Sequence, residues 1–116
     1  MFNFRQGDVM VIDLNPTKGV ETQKKRPCVV VSNNHYNHHL NTVIVAPISS
    51  SEKYTEEYYS QSPFFIQIPD NDIVHGTILL QHLRSIDPKA RTKSVVLYQL
   101  PKEIIEKMKA VVHHFF

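Results

Sequence analysis

Apolar and polar positions along the chain fall into short runs with strand spacing, then one carboxyl-terminal run with helical spacing. Residues 8–14, DVMVIDL, alternate well enough for a strand partly covered on both faces, and NPTKG (15–19) closes it as a turn. CVVVS (28–32) is an unbroken β-branched run of the kind buried on both sides. NNHYNHH (33–39) is polar and turn-rich, with room for one helical turn. TVIVAPI (42–48) reads as the next strand, with Pro47 expected to end it by removing a ladder donor. SSSEKYTEEYYSQS (49–62) reads as a long mobile loop. FFIQI (64–68), TILLQHL (77–83) and RSI (84–86) follow as strands, the first two separated by the turn PDND.

The period changes after Pro101. Apolar residues then fall at Ile104, Ile105, Met108, Val111, Val112 and Phe115, the stripe of an amphipathic helix. Pro101 suits the first helical position. Glu103 and Glu106 lie early and Lys107, Lys109, His113 and His114 late, in agreement with the helix dipole. Many short strands and one terminal helix predict a mainly β chain, a small, highly curved antiparallel sheet or barrel with the helix closing one open end.

Length and composition narrow the class. The 116 residues, 41% hydrophobic and 21% charged, suit one globular domain spanning 1–116 rather than two or a disordered tail. No apolar run approaches the ~20 residues of a membrane span. MFNFRQGD lacks the features of a signal peptide, and one cysteine excludes an intrachain disulfide, so the cytoplasm is the expected location. The net charge of +2 identifies no partner by itself. Its distribution is more telling, with Lys18, Lys24, Lys25 and Arg26 in one group, Lys89, Arg91 and Lys93 in another, and Glu52, Glu56 and Glu57 elsewhere. A polarised surface of this kind has a part that can meet phosphate.

Three groups of residues are candidates for chemistry. His35, His38 and His39, with His113 and His114, invite a metal reading, but no cysteine set or HExxH spacing accompanies them. A solvated loop and a helix terminus is the better reading, and no metal or cofactor is expected. Cys28 sits between Pro27 and Val29 with no local charge to activate it, and reads as a core residue. The third group is KGVETQKKRP (18–27) with the serines after VAPI. Antiparallel pairing of 26–32 with 42–48 makes Arg26 and Ser49 neighbours, with Ser50 beside them. A carboxylate (Glu21), a guanidinium and a hydroxyl converging on a basic cleft suit phosphodiester chemistry. From spacing alone, a surface ion pair for Arg26 and a plain loop for the serines fit equally well.

GDVMVIDLNPTKGVE and KKRPCVVVSN, within 7–33, resemble the opening of the MazF/PemK toxin family, in the residues Gly7, Asp8, Asp13, Pro16, Gly19, Glu21, Arg26 and Pro27. The likeness continues through VAPISS (45–50) and ILLQHLRSID (78–87) to the terminal helix, covering nearly the whole chain. The resemblance implies an SH3-like, CcdB-type antiparallel β-barrel, a homodimer, and a metal-independent, sequence-specific endoribonuclease. Such an enzyme cuts single-stranded RNA through the ribose 2′-hydroxyl, leaving a 2′,3′-cyclic phosphate (or 3′-phosphate) and a 5′-hydroxyl. It implies catalytic roles for Arg26 and Ser49, with Glu21 in support or in proton transfer. RNA contact is assigned to Thr17, Lys18, Lys24, Lys25, Ser50 and Gln81. A cognate antitoxin of the MazE/PemI kind is the expected protein partner. Many relatives carry threonine where this chain has Ser49, and the missing methyl predicts a more loosely held hydroxyl. The alternative is a non-catalytic module like CcdB, which blocks DNA gyrase on a related barrel.

Overall fold

The computed structural model describes residues 4–14, 25–93 and 95–115. Chain order is β1 (Asp8–Asp13), β2 (Lys25–Val30), α1 (Asn34–His39), β3 (Val43–Ser49), a 3₁₀ turn (Glu52–Thr55) and α2 (Glu57–Ser60). Then come β4 (Phe65–Gln67), β5 (Thr77–Leu79), a second 3₁₀ turn (Leu80–His82), β6 (Arg84–Ile86), α3 (Pro88–Arg91), β7 (Tyr98–Gln99) and α4 (Lys102–His113). Among the described residues the strands form one curled sheet in the order β4-β5-β3-β2-β1-β7, with β6 also paired to β3, and every pairing is antiparallel.

Consecutive residues of the central strands feed two different cores, as strand alternation requires. Val9, Val29, Ala46 and Ile48 point to the face that α4 covers with Ile104 and Met108. Met10, Ile12, Cys28, Val30 and Val45 point to the other, where Phe4, Val43 and Ile86 pack. This is why the run at 28–30 is apolar without a break. Gly7 (φ +94) makes the seat of α4 possible, because a Cβ there would collide with the Ile105 side chain. Asp8, buried at the start of β1, accepts from the Arg5 backbone N–H at 2.8 Å and from Gln99 Nε2 at 2.5 Å, and so binds β7 to β1.

Several expected boundaries move, each for a physical reason. The strand expected at 28–32 starts earlier, at Lys25, and stops at Val30. Beyond it the N–H groups of Val31 and Ser32 both donate to Ile44 O (2.8 and 3.3 Å), a two-against-one arrangement that bends the strand. Pro47 does not end β3, which runs on to Ser49. There β3 is changing its outer partner from β6, at Val43–Val45, to β5, at Ile48–Ser49, so the missing N–H falls in a gap. The strand expected over 77–83 ends at Leu79, and the chain continues as a 3₁₀ turn over Leu80–His82 that buries Leu80 in the core under α4.

The stretch 49–62, expected as a long mobile loop, contains a 3₁₀ turn and a short helix. Ser51 Oγ accepts from the Lys53 N–H at 3.3 Å and caps the first 3₁₀ turn. Tyr54 stacks on Phe65 with ring centroids 5.4 Å apart, and Tyr59 meets both rings edge-on at 5.1 Å. In α4, Pro101 is the N-cap residue rather than the first helical one. The short strand β7 was not expected at all.

Cys28 is fully buried, and its thiol contacts Arg26 O at 3.6 Å. Burial pushes the thiol up to about 12, against an opposing pull from the Arg26 and Arg84 guanidinium charges that the sequence reading did not foresee. The native protein should therefore resist iodoacetamide near neutral pH and react once denatured. An unfolded thiol ionises from about 9.0 upward while the folded one stays neutral to about 12, so this group's contribution to stability is lost as pH rises through that window. Denaturation midpoints should fall across it more steeply for the native sequence than for Cys28→Ala.

Candidate active site

The ladder between β2 and β3 stops at Cys28 opposite Pro47, although the strands run on to Lys25 and Ser49. Bonded and non-bonded pairs alternate along an antiparallel ladder. With Val31 donating to Ile44 O, and Val29 opposite Ala46, the next bonded pair is Pro27 with Ile48. Pro27 has no N–H to give. The strands part there, and continuing the register by one more pair sets Arg26 across from Ser49.

The opening is a cleft of about 470 Å³ lined by Lys25, Arg26, Pro27, Ile48, Ser49, Ser50, Ser51 and His75. Two fixed cations and an imidazole line it, and no carboxylate does among the described residues. Such a cleft favours an anion, and a phosphate suits the planar fork of a guanidinium. Arg26 is exposed and, among the described residues, has no ion-pair partner, so its donors are available. No carboxylate among the described residues holds Arg26.

Ser49 is nearly buried, and its Oγ accepts from the Ser51 N–H at 3.1 Å. That bond leaves the hydroxyl proton free to donate into the cleft. It also gives the side chain a backbone partner that favours one rotamer. Across the sheet Ser49 pairs with Thr77, whose Oγ1 donates to Gln67 Oε1 at 2.9 Å. Gly76 (φ +136) lies against Ser49, and a Cβ there would collide with the Ser49 carbonyl oxygen. The close approach carries the adjoining His75 into the cleft.

The structure brings together Lys25, Arg26, Ser49 and Ser50 of the expected site residues. It does not bring Gln81 there; Gln81 lines a separate hollow with Phe64, Leu80, Leu83 and Phe115. Thr17, Lys18, Glu21 and Lys24 lie outside the described residues. His75 escaped the sequence reading, which weighed the histidines by their spacing to one another. Its signal was the lone glycine after it, at the entry to a strand. Lys25 also lines a groove of about 400 Å³ with Asp13, Arg91 and Lys93, so one described member of the first basic group meets two of the second there. No cluster of three or more metal-ligating side chains occurs among the described residues.

Comparison with known proteins gives this geometry its relatives. Residues 5–116 match the family model described as PemK-like, MazF-like toxin of type II toxin-antitoxin system. The endoribonuclease toxin ChpB of Escherichia coli is 29% identical over 113 residues, covering 94% of each chain. A solved MazE-MazF structure (Form-II) from Deinococcus radiodurans aligns with TM-score 0.77 at 22% identity, covering 99% of this chain and 96% of that one. An endoribonuclease from Mycobacterial species in complex with its cognate antitoxin aligns with TM-score 0.69 at 17% identity, covering 98% and 93%. At these identities the solved structures bear on the fold, a mainly β curled sheet with a terminal helix.

If Pro27 parts the strands, Pro27→Val should let the ladder continue by one bonded pair. The gained bond, about 1 kcal/mol, and the greater freedom of the unfolded chain, up to about 1 kcal/mol, oppose each other, so global stability should change little. The readout is the new amide at position 27, which should be protected from hydrogen exchange as its strand neighbours are. An amide exchanging as fast as an open loop would show that something other than Pro27 opens the cleft.

Proposed function

Since the chain belongs to the PemK-like, MazF-like toxins of type II toxin–antitoxin systems, we propose that this endoribonuclease cleaves single-stranded RNA in the cleft between Arg26 and Ser49. The observation that supports it most is the lining: a guanidinium, a hydroxyl that is fixed yet free to donate, and no carboxylate among the described residues. Arg26 holds the scissile phosphate by two oxygens and stabilises the charge that develops on them. Ser49 donates its hydroxyl to the same group. The ribose 2′-oxygen attacks phosphorus and the 5′-oxygen departs, leaving a 2′,3′-cyclic phosphate and a 5′-hydroxyl. Glu21 is assigned the proton of the 2′-hydroxyl, on the strength of the family motif alone. The nucleophile belongs to the substrate, so the reaction as proposed needs no metal.

Lys25 and Ser50, with Thr17, Lys18 and Lys24 of the preceding segment, are assigned to binding the RNA backbone. Gln81 is too, as a contact outside the cleft of a single chain. The basic surface that continues from Lys25 toward Arg91 and Lys93 supports a strand of RNA longer than one nucleotide. The reading treats residues 1–116 as one domain acting in the cytoplasm, as a homodimer, with a cognate antitoxin as the restraining partner. A cleft of about 630 Å³ flanked by Val31, Ile44, Leu83 and Val112 supports the dimer, as apolar surface that one chain leaves uncovered. An acidic antitoxin laid over the basic surface would exclude RNA without distorting the catalytic groups.

Purified protein incubated with a long RNA in excess EDTA should cut it and leave 5′-hydroxyl ends. Arg26→Ala should lower the rate by about 10²–10³-fold with the fold intact. Arg26→Lys should also be poor, because a point charge cannot replace the fork. Activity that vanishes on chelation and returns with a divalent ion would overturn the mechanism, and wild-type rates from Arg26→Lys would overturn the bidentate role. Sedimentation should give a dimer at micromolar concentration.

A further inference from the structure

We propose that His75 is the catalytic residue that protonates the departing 5′-oxygen, an assignment that rests on the ribonuclease reading of the same cleft. In the cleavage step the 2′-oxygen forms a bond to phosphorus and its proton passes to a base. The bond from phosphorus to the 5′-oxygen breaks, its electron pair stays on that oxygen, and a proton must arrive to make the 5′-hydroxyl. One proton leaves and one is delivered, so no oxidant or other reactant is needed.

The lining of the cleft decides what can deliver that proton. A guanidinium does not release one near neutral pH, which removes Arg26. An ammonium is by type a poorer proton donor than an imidazolium, which disfavours Lys25. Serine hydroxyls are weaker acids still. Among the described lining residues the imidazole of His75 is the one side chain of a type that exchanges protons readily at neutral pH. Its ring makes no hydrogen bond among the described residues, so both nitrogens are available. The charged groups facing it across the cleft are Lys25 and Arg26, and a bound phosphate supplies the negative charge that an imidazolium pairs with.

The placement is built into the backbone. Gly76 is pressed against the carbonyl of Ser49, and its O accepts from the Ile68 N–H at 3.0 Å. Thr77 pairs with both Ser49 and Gln67 in the sheet. A residue immediately before this contact cannot leave the neighbourhood of Ser49 without breaking it. The donor therefore sits at the end of a connecting segment whose next two residues are tied to the seam that holds the hydroxyl.

The test uses an oligoribonucleotide spanning a mapped cut site, made with either the normal 5′-oxygen or a bridging 5′-sulfur. A thiolate leaves without a proton, so a variant lacking the acid should fail on oxygen and recover on sulfur. His75→Ala and His75→Gln should each lower kcat by about 10²-fold on the oxygen substrate with KM unchanged. Both should cut the sulfur substrate within a few-fold of wild type, while Arg26→Ala stays impaired on both. Equal losses on the two substrates would make His75 a positioning residue, and a raised KM with normal kcat would make it a binding residue; either overturns the proposal, as does full activity on oxygen. A wild-type chain that cuts neither substrate would overturn the ribonuclease reading itself.

Discussion

One missing hydrogen-bond donor organises this molecule. Pro27 occupies the place where β2 would next bond to β3, and the two strands, held in register up to that point, separate beyond it. A β-sheet ordinarily has no room between neighbouring strands for a ligand, because their backbones lie less than 5 Å apart. Ending the ladder from within creates that room without disturbing the register that aims Arg26 at Ser49. The cost is small, since the pair lost is at the end of the strands and faces a cleft open to water. Gly76 contributes from the opposite side, allowing the turn before β5 to press against Ser49 where any larger residue would hold it away.

The same strand passes from solvent to core within two residues. Arg26 is exposed and Cys28 is fully buried, and both side chains lie on one face of β2. The thiol shows what that step means electrostatically. Two guanidinium charges favour its ionisation, and burial still wins by enough to raise it to about 12. An ionised group placed at position 28 would be desolvated out of use, and one placed well beyond 26 would lose the scaffold. Catalytic charge here is carried at the last position where a rigid strand still meets water.

Most of the scaffold was legible because it depends on local patterns. The β-branched run at 28–32 announced a strand covered on both sides, and the stripe from Ile104 to Phe115 announced the helix that covers one of them. Antiparallel pairing then placed Arg26 near Ser49 before any coordinates. What escaped depended on partners distant in the chain. Pro47 signals a strand end unless one knows that β3 changes neighbours there. The run TILLQHL looks like one strand, yet the chain turns into a 3₁₀ segment at Leu80. The tyrosines of 54–59 look like a polar loop until Phe65 arrives to stack on them. His75 had no local context at all beyond the glycine that follows it.

Ser49 shows how distant support can hold a hydroxyl that has no methyl group beside it. A threonine holds its own hydroxyl by crowding its rotamers, whereas Ser49 depends on the Ser51 N–H. That donor is only as fixed as the segment behind it. Ser51 is held in turn by capping the Lys53 N–H, and the 3₁₀ turn it caps carries Tyr54 into the stack with Phe65 and Tyr59. Gln67, which accepts from Thr77 opposite Ser49, donates to Tyr54 O at 2.9 Å and closes the circuit. The aromatic cluster thus lies outside the cleft and still acts on it. The order of this hydroxyl is distributed over a closed circuit of packed and hydrogen-bonded chain.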